Sequence, residues 1–431
     1  MNLEGLRRTF TLRSRFNREV LWSIGSLGVM GASGILLNIF IGTFREEDAL
    51  GVFNQVYAVY IFLSQIAVGG VHSSVLMQVS HRQDDKAECA RLTVSALILA
   101  AGLSLCVCAA AYWSRESIGR LFGSPAVGQG LGYAIPGLFF FSLNKILLSV
   151  LNGMRSMRSL SIFNSLRFVI LFLAVAGMVA LDYDDVWLPG AFAIAEGALF
   201  IGLVFDVNIR LFPLWKFRGL GDWHRSHLSY GARGILSGIL ADLNTRVDVL
   251  MLGFFLSDSA VGIYTMASSI SEGLLQFPAL LQRNVNPIIG KAFAEGRLQK
   301  IEEAARKVRR VVYGIMVLVG GSAMVAYPFV LGLLPLKGDF SSSWLPFAIL
   351  TAGAVAASGF LPFSGILHLG GNPGRQTILT ILVVSGNVAL NFILIPPFGL
   401  AGAACATAAT YVFRSALLVI FTKRLYNIRL W

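Results

Sequence analysis

Charged residues are scarce in this sequence, and this scarcity limits the class of protein it can encode. Asp, Glu, Lys and Arg make up 13% of the 431 residues, about half the share in a soluble globular domain, and 55% are hydrophobic. A water-soluble surface cannot be built from this composition. The apolar residues form runs of about twenty, the length that a helix needs to cross about 30 Å of hydrocarbon. The composition therefore predicts a protein that is folded in a bilayer.

Cysteine and histidine are also few. The chain has four cysteines and five histidines. Cys106 and Cys108 lie within an apolar run, where cysteine more often packs as a small residue than binds a metal. His224 and His227 lie in a basic loop without the cysteines or carboxylates that would complete a metal shell. We therefore expect no disulfide framework, no metal site, no catalytic residue and no cofactor.

Twelve apolar runs predict transmembrane helices, since the strands of a membrane β-barrel are shorter and alternate between apolar and polar residues. The expected fold is an all-α polytopic membrane protein of about twelve transmembrane helices. The predicted spans cover residues 20–44, 51–78, 92–113, 131–151, 161–181, 187–207, 229–255, 261–290, 311–334, 343–369, 376–396 and 400–422.

The lysines and arginines between these spans lie mostly on one side of the membrane. Of the 35 in the chain, 25 fall in connections on one side, and only Arg45, Arg115, Arg120 and Lys337 fall on the other. Because cytoplasmic loops carry the excess of Lys and Arg, we expect both termini in the cytoplasm of a bacterium, with the chain in the inner membrane. The same loops explain the net charge of +12, so nucleic acid is not an expected partner.

The chain also contains an internal repeat. Residues 41–53 match residues 252–264 without gaps, and Gly51 corresponds to Gly262 at an offset of 211. Leu188 and Gly190 recur as Leu400 and Gly402 at an offset of 212. Six spans plus six in the same orientation predict two lobes related by a pseudo-two-fold axis along the membrane normal, a design of transporters with a central path. The lobes are expected at residues 1–217 and 218–431.

Ten charged residues lie inside the predicted spans, where a charge costs about 2.5 to 3.5 kcal/mol on insertion scales. Residues of this kind need protein-lined or water-filled surroundings, so they are candidates for a transport path. The cations are Lys145, Arg167, Arg233, Arg246, Arg283 and Arg414, and the acids are Glu196, Asp242, Asp248 and Glu272.

Depth within the spans separates these residues. Arg246 and the four acids fall at middle depth, whereas the other five cations fall in the cytoplasmic half, where no buried acid is expected at their level. An anionic headgroup from the cytoplasmic leaflet would meet these cations first. We predict a substrate-binding cationic lumen formed by Arg246, Arg283, Arg167, Arg414 and Lys145. We predict coupling to a proton or sodium gradient through Asp242, Asp248, Glu272 and Glu196.

A structural interpretation of the same charges stands beside the functional one. Long basic side chains near helix ends can reach back to the interface, which fits Arg233 best. Asp242 and Arg246 lie one helical turn apart and could form a buried salt bridge that only orients the arginine.

Two motifs in the second half resemble a known family. The first is Asp-x-x-x-Leu-Gly followed by Val-Gly-x-Tyr, at residues 248–264, and the second is Asn-x-x-Leu-Ile-Pro-x-x-Gly-x-x-Gly-Ala-Ala-x-Ala-Thr, at residues 391–407. They resemble the Wzx-type polysaccharide flippases of the multidrug/oligosaccharidyl-lipid/polysaccharide (MOP) exporter superfamily, whose fold is shared with the multidrug (MATE) transporters.

This resemblance implies a function and a set of partners. It implies alternating-access transfer of an undecaprenyl-diphosphate-linked oligosaccharide from the inner to the outer leaflet, for surface polysaccharide biosynthesis. The expected partners are this lipid-linked oligosaccharide, the bilayer and other polysaccharide assembly proteins, and we expect the chain to act as a monomer.

Two other functions are weighed against this one. The first is an ion-coupled multidrug antiporter of the same superfamily, many of which carry an acid in the first helix, whereas the first three spans here contain no buried acid. The second is a membrane enzyme such as a polysaccharide polymerase. Such an enzyme needs large exposed loops or a nucleotide-binding domain, whereas the longest outer connection here covers only residues 114–130.

Overall fold

The computed structural model describes residues 3–215, 219 and 222–430, and in these ranges the chain is almost entirely helical, without a β-strand. The helices of the first half are α1 (Leu3–Phe44), α2 (Glu47–Val68), α3 (Val71–His81), α4 (Lys86–Leu121), α5 (Pro125–Gly153), α6 (Met157–Ala180) and α7 (Ala191–Arg210). The helices of the second half are α8 (Trp223–Leu243), α9 (Val247–Phe255), α10 (Asp258–Ala294), α11 (Gln299–Leu333), α12 (Trp344–Ser358), α13 (Ile366–Leu369) and α14 (Pro373–Tyr426).

All twelve predicted spans fall on these helices. Eight described helices are long and apolar enough to cross a membrane individually, or nine when the bent pair at Ser341–Ser358 and Leu361–Leu369 is counted as one span. Two of the predicted spans are the limbs of α14, which meet at Gly399, where a φ of 55° interrupts the helical backbone. The helices α8, α9 and α10 are not counted among the eight, because α9 is only nine residues long and α8 and α10 carry many polar residues. The prediction of an all-α polytopic fold is confirmed.

The described chain forms two compact units. Unit 1 contains residues 1–34, 60–115 and 129–238, and unit 2 contains residues 35–59, 116–128 and 239–431. The core of unit 1 includes Leu92, Leu147 and Leu203, from α4, α5 and α7. The predicted boundary between residues 217 and 218 lies at positions outside the described residues, and the two six-helix lobes stay a prediction.

The internal repeat has a structural counterpart inside unit 2. Gly51 on α2 and Gly262 on α10, which correspond in the repeat, lie against each other. A Cβ built on Gly51 would lie 1.8 Å from the backbone oxygen of Asp258, and one on Gly262 would lie 1.9 Å from that of Glu47. Asp258 and Glu47 are themselves 211 positions apart. The glycines are therefore needed because the two backbones meet where a side chain has no room.

Candidate functional site

The seventh predicted span is broken in the structure. Helix α8 ends at Leu243 and α9 begins at Val247, and the amide groups of Thr245 and Arg246 bond back to Asp242 and Leu243 at 3.1 and 3.0 Å. In a membrane a break of this kind is tolerated where the backbone is buried in protein or lines a cavity. Broken helices of this type form substrate and ion sites in secondary transporters.

A polar cavity of about 330 Å³ lies beside this break, within unit 2. Its walls come from the break itself, from one face of α10, from the region around the end of α12, and from both limbs of α14. The lining contains Asn244, Thr245, Asp248, Glu272, Leu275, Gln276, Ala279, Gln282, Ala357, Leu361, Ser364, Asn387, Thr407, Thr410, Tyr411 and Arg414. The volume falls in the range of small-molecule sites, about 300 to 1,000 Å³.

Two carboxylates line this cavity. Asp248, in the first turn of α9, is 7% exposed, and its Oδ2 accepts a hydrogen bond of 2.6 Å from the hydroxyl of Tyr264. Its Oδ1 accepts one of 2.9 Å from the amide of Val249. Glu272 is more open, and its Oε1 lies 4.0 Å from Nη1 of Arg246. The two acids therefore differ, since Asp248 is buried and held in place while Glu272 is half-exposed.

Two of the predicted cations belong to this region. Arg414 lines the cavity from the second limb of α14, on the same face as Thr407, Thr410 and Tyr411. The guanidinium of Arg246 lies at the helix break, next to Glu272 and 5.1 Å from the ring centroid of Tyr57. The structure thus brings Arg414 together with three predicted site residues from a distant part of the sequence, namely Arg246, Asp248 and Glu272.

Arg167 occupies a different environment, inside unit 1. Its Nε lies 2.7 Å from Oε1 of Glu196, which is 4% exposed, and its guanidinium lies 4.8 Å from the ring centroid of Phe141. Asn144 donates a second hydrogen bond, of 2.8 Å, to the Glu196 carboxylate. The expectation that no buried acid lies at the level of Arg167 is therefore wrong. Arg167 lies on α6 and Glu196 on α7. Counting depth from the predicted ends of these helices could not show that the two side chains are in contact.

The remaining predicted residues lie outside the cavity lining. Arg283 is exposed on α10, next to the lining residue Gln282. Lys145 is half-buried in unit 1, with its Nζ 5.7 Å from the ring centroid of Phe141. Asp242 is half-buried near the end of α8.

Sequence reasoning missed the neutral polar residues of the cavity. It selected charges, because a charge in a span is conspicuous, and passed over Gln276, Gln282, Asn387 and Thr407. A signal was present, since Glu272, Gln276, Ala279 and Gln282 recur at helical spacing and place small or polar groups on one face of α10. A search for polar residues at helical spacing would have identified this face of α10.

The fold and the cavity define a class of protein, a polytopic all-α membrane protein with a cavity beside a broken helix. Comparison with solved structures shows that the fold is that of the MOP superfamily. The chain matches an inward-facing multidrug-resistance MATE transporter of the MOP superfamily with a TM-score of 0.76 and 16% identity, over 93% of this chain and 94% of that one. It matches the lipid II flippase MurJ, also with a TM-score of 0.76 and 16% identity, over 94% of this chain and 87% of MurJ.

The family follows from the sequence match. The model of the family described as "Polysaccharide biosynthesis protein" matches residues 34–293, and the MatE model matches residues 235–393. This chain belongs to the polysaccharide biosynthesis protein family of the MOP superfamily, and the predicted resemblance is confirmed. A relative in Haloferax volcanii, named "Probable flippase AglR", is 24% identical over 411 residues, which is 90% of this chain and 79% of the relative.

Proposed function

We propose that this chain is a flippase that moves an undecaprenyl-diphosphate-linked oligosaccharide from the inner to the outer leaflet of a bacterial cytoplasmic membrane. The observation that carries the proposal is the polar cavity beside the α8–α9 break, which combines Arg414 with hydrogen-bonding side chains. Arginine suits a diphosphate, because its planar group can donate two parallel hydrogen bonds to phosphate oxygens. The chain works as a monomer with both termini in the cytoplasm, beside other polysaccharide assembly proteins.

The relatives support the same function. AglR is named as a flippase, and a Bacillus subtilis protein that is 26% identical over 167 residues, 38% of this chain and 31% of that protein, is named for teichuronic acid biosynthesis. Both names point to the movement or assembly of glycans. A transport role rather than an enzymatic one follows from these names and from the family.

The proposal is tested by complementation. A bacterial strain that has lost its own flippase for a surface glycan, but still makes the lipid-linked glycan, is given this gene. We expect the mature glycan to appear at the cell surface. A strain that makes the lipid-linked glycan and contains the membrane protein, yet displays no glycan, would contradict the proposal.

We further propose that a proton or sodium gradient drives transport through Asp248 and Glu272. Both carboxylates line the cavity, so the binding of a cation there could be linked to the binding of the anionic headgroup. Glu196 is paired with Arg167 in unit 1, and Asp242 lies outside the lining, so the structure favours Asp248 and Glu272 among the four candidates.

Asp248→Asn is expected to abolish the response of transport to an imposed gradient, because the amide cannot bind a proton and binds a cation only weakly. The measurement is glycan transport in membrane vesicles with and without a proton or a sodium gradient. Asp242→Asn is the matched control, since it makes the same change on the other side of the helix break, and it should respond to the gradient as the unmodified protein does. A normal response of Asp248→Asn would remove this carboxylate from coupling.

A further inference from the structure

An open groove runs between α1 and α6, within unit 1. Its volume is about 450 Å³. The lining extends from Trp22 to Val29 on α1 and from Ser161 to Val169 on α6, a rise of about 10 to 12 Å at 1.5 Å per residue. One leaflet contributes about 15 Å to the hydrocarbon core of a bilayer. The groove therefore has the length to follow a lipid chain through most of one leaflet.

The groove is open because small residues line part of it, and its surface is almost wholly apolar. A Cβ built on Gly25 would find no atom within 4 Å. Water gains few hydrogen bonds from such a surface, and an empty groove would forfeit the dispersion contacts of its lining atoms. A flexible hydrocarbon chain fits these walls. The small lining residues are Gly25, Ser26, Ser161 and Ser165.

A cation lies at one end of the groove. The guanidinium carbon of Arg158 lies 5.4 Å from the ring centroid of the lining residue Trp22, within the range of a cation–π contact. Arg158 precedes Ile162 by four residues and Ser165 by seven, so it shares the face of α6 that lines the groove. Tryptophan is typical of the membrane–water interface. The end of the groove thus has the character of the headgroup level of a leaflet.

A second arginine, Arg155, lies in the turn between α5 and α6. Its φ is 54°, and the amide of Ser156 bonds back to the carbonyl of Leu151 at 2.8 Å, a helix-ending turn in which glycine is the usual residue. An arginine that keeps this conformation indicates a use for its side chain, which is exposed. Both Arg155 and Arg158 precede the predicted span 161–181, on the side expected to be cytoplasmic.

We propose that the groove and the two arginines form a binding site for an anionic phospholipid of the cytoplasmic leaflet. One acyl chain lies in the groove, and the phosphate is bound by Arg158 and Arg155. Guanidinium groups match phosphate oxygens because they donate parallel hydrogen bonds to them. The site lies in unit 1, apart from the cavity lining in unit 2, and it does not depend on the proposed transport function.

The combination of groove and charge favours this ligand over others. Free phosphate has no chain to fill the groove. A zwitterionic phospholipid has the chain, but the cation of its headgroup offsets the attraction of its phosphate to the arginines. A second copy of the chain would need an apolar surface in the groove and an acidic group beside Arg158 at the same time. An anionic phospholipid carries both features in one molecule.

The test is photo-crosslinking of the full chain in phosphatidylcholine nanodiscs. The probes are phosphatidylglycerol and phosphatidylcholine that carry the same diazirine on one acyl chain, each added as a minor component. Labelled peptides are quantified by mass spectrometry. The phosphatidylglycerol probe should label residues 22–29 and 161–169 at least about fivefold more than the phosphatidylcholine probe, the factor that corresponds to about 1 kcal/mol for one arginine near an anionic lipid.

Arg158→Gln tests the headgroup contact. It should lower the preference for the phosphatidylglycerol probe by about fivefold, because the charge at the end of the groove is lost. Arg225→Gln is the matched control, since Arg225 is also exposed and near the start of a helix, α8, but does not line the groove. It should leave the preference unchanged.

Gly25→Leu tests the groove itself. The new side chain enters open space and should fold normally, and it should reduce labelling of residues 22–29 and 161–169 by both probes about three- to tenfold. Ser165→Leu is a second filling variant with the same expected result. Gly177→Leu is the control, because Gly177 is exposed on α6, has no atom within 4 Å of a Cβ and lies outside the lining.

Two results would overturn the lipid site. The first is equal labelling by the two probes, or labelling that persists in both Gly25→Leu and Ser165→Leu. The second is an unlabelled groove in nanodiscs that contain dimers, which would show that a second copy covers it. Both results leave the flippase proposal as it stands, since that proposal rests on the cavity in unit 2.

Discussion

Arg414→Gln is expected to reduce glycan transport by about 10- to 100-fold at an unchanged level of membrane protein. Its guanidinium is the cationic group of the described cavity lining, and a hydrogen bond to a charged group contributes about 1.5 to 3 kcal/mol. Arg414→Lys should keep part of the activity, because it retains the charge but loses the bidentate geometry. The measurement is surface display of the glycan, normalised to protein level, in a strain without its native flippase.

Arg283→Gln is the matched control for this prediction. It removes the same group from α10, another helix that contributes to the cavity lining, but the Arg283 side chain is exposed and does not line the cavity. Transport close to that of the unmodified protein is therefore expected. Full activity of Arg414→Gln would show that the cavity does not bind the headgroup through this residue, and a loss in Arg283→Gln would extend the binding surface along α10.

Arg167→Gln should lower stability rather than impair transport directly. It leaves the Glu196 carboxylate, which is 4% exposed, without its ionic partner, and breaking a buried pair in this way costs about 3 to 5 kcal/mol. Glu196→Gln should have a similar effect for the same reason. The double variant with Gln at both positions removes both charges and should recover much of the loss. Thermal unfolding in detergent and the level of protein in the membrane give the measurement.

Transport per folded molecule distinguishes this structural role from the role predicted by the sequence. For Arg167→Gln we expect glycan display to fall in proportion to the protein level and no further. If Arg167→Gln is as stable as the unmodified protein but does not transport the glycan, Arg167 takes part in substrate binding. That result would contradict the structural role inferred from its pairing with Glu196.

The helices were predictable because the bilayer imposes a simple rule on sequence. Every backbone polar group in a span must bond within the chain, so a long apolar run has to be a helix. The interruptions were less predictable. The non-helical Gly399 falls between the predicted spans 376–396 and 400–422, so the sequence does indicate this interruption. The break between Leu243 and Val247 falls inside the single predicted span 229–255, because a window average does not distinguish it from regular helix.

The candidate site was predictable only in part, since sequence gives depth along each helix but not which faces meet. Asp248, Glu272 and Arg414 were selected as buried charges, and the structure places them in one cavity lining. Arg167 was selected by the same argument and lies beside Glu196 instead. The difference depends on how the helices pack, which the charge and hydropathy of each helix do not determine.

Lipid translocation by the purified protein is the most direct test of the central claim. The chain is reconstituted in liposomes with a labelled undecaprenyl-diphosphate oligosaccharide, and a glycan-modifying enzyme outside the vesicles reports how much lipid faces outward. We predict that the accessible fraction rises with time in the presence of the protein, and that it rises far more slowly with Arg414→Gln. The claim would be contradicted if the accessible fraction stayed unchanged although the protein was folded. If the protein then exported a cationic dye in exchange for sodium ions or protons, it would be a multidrug antiporter.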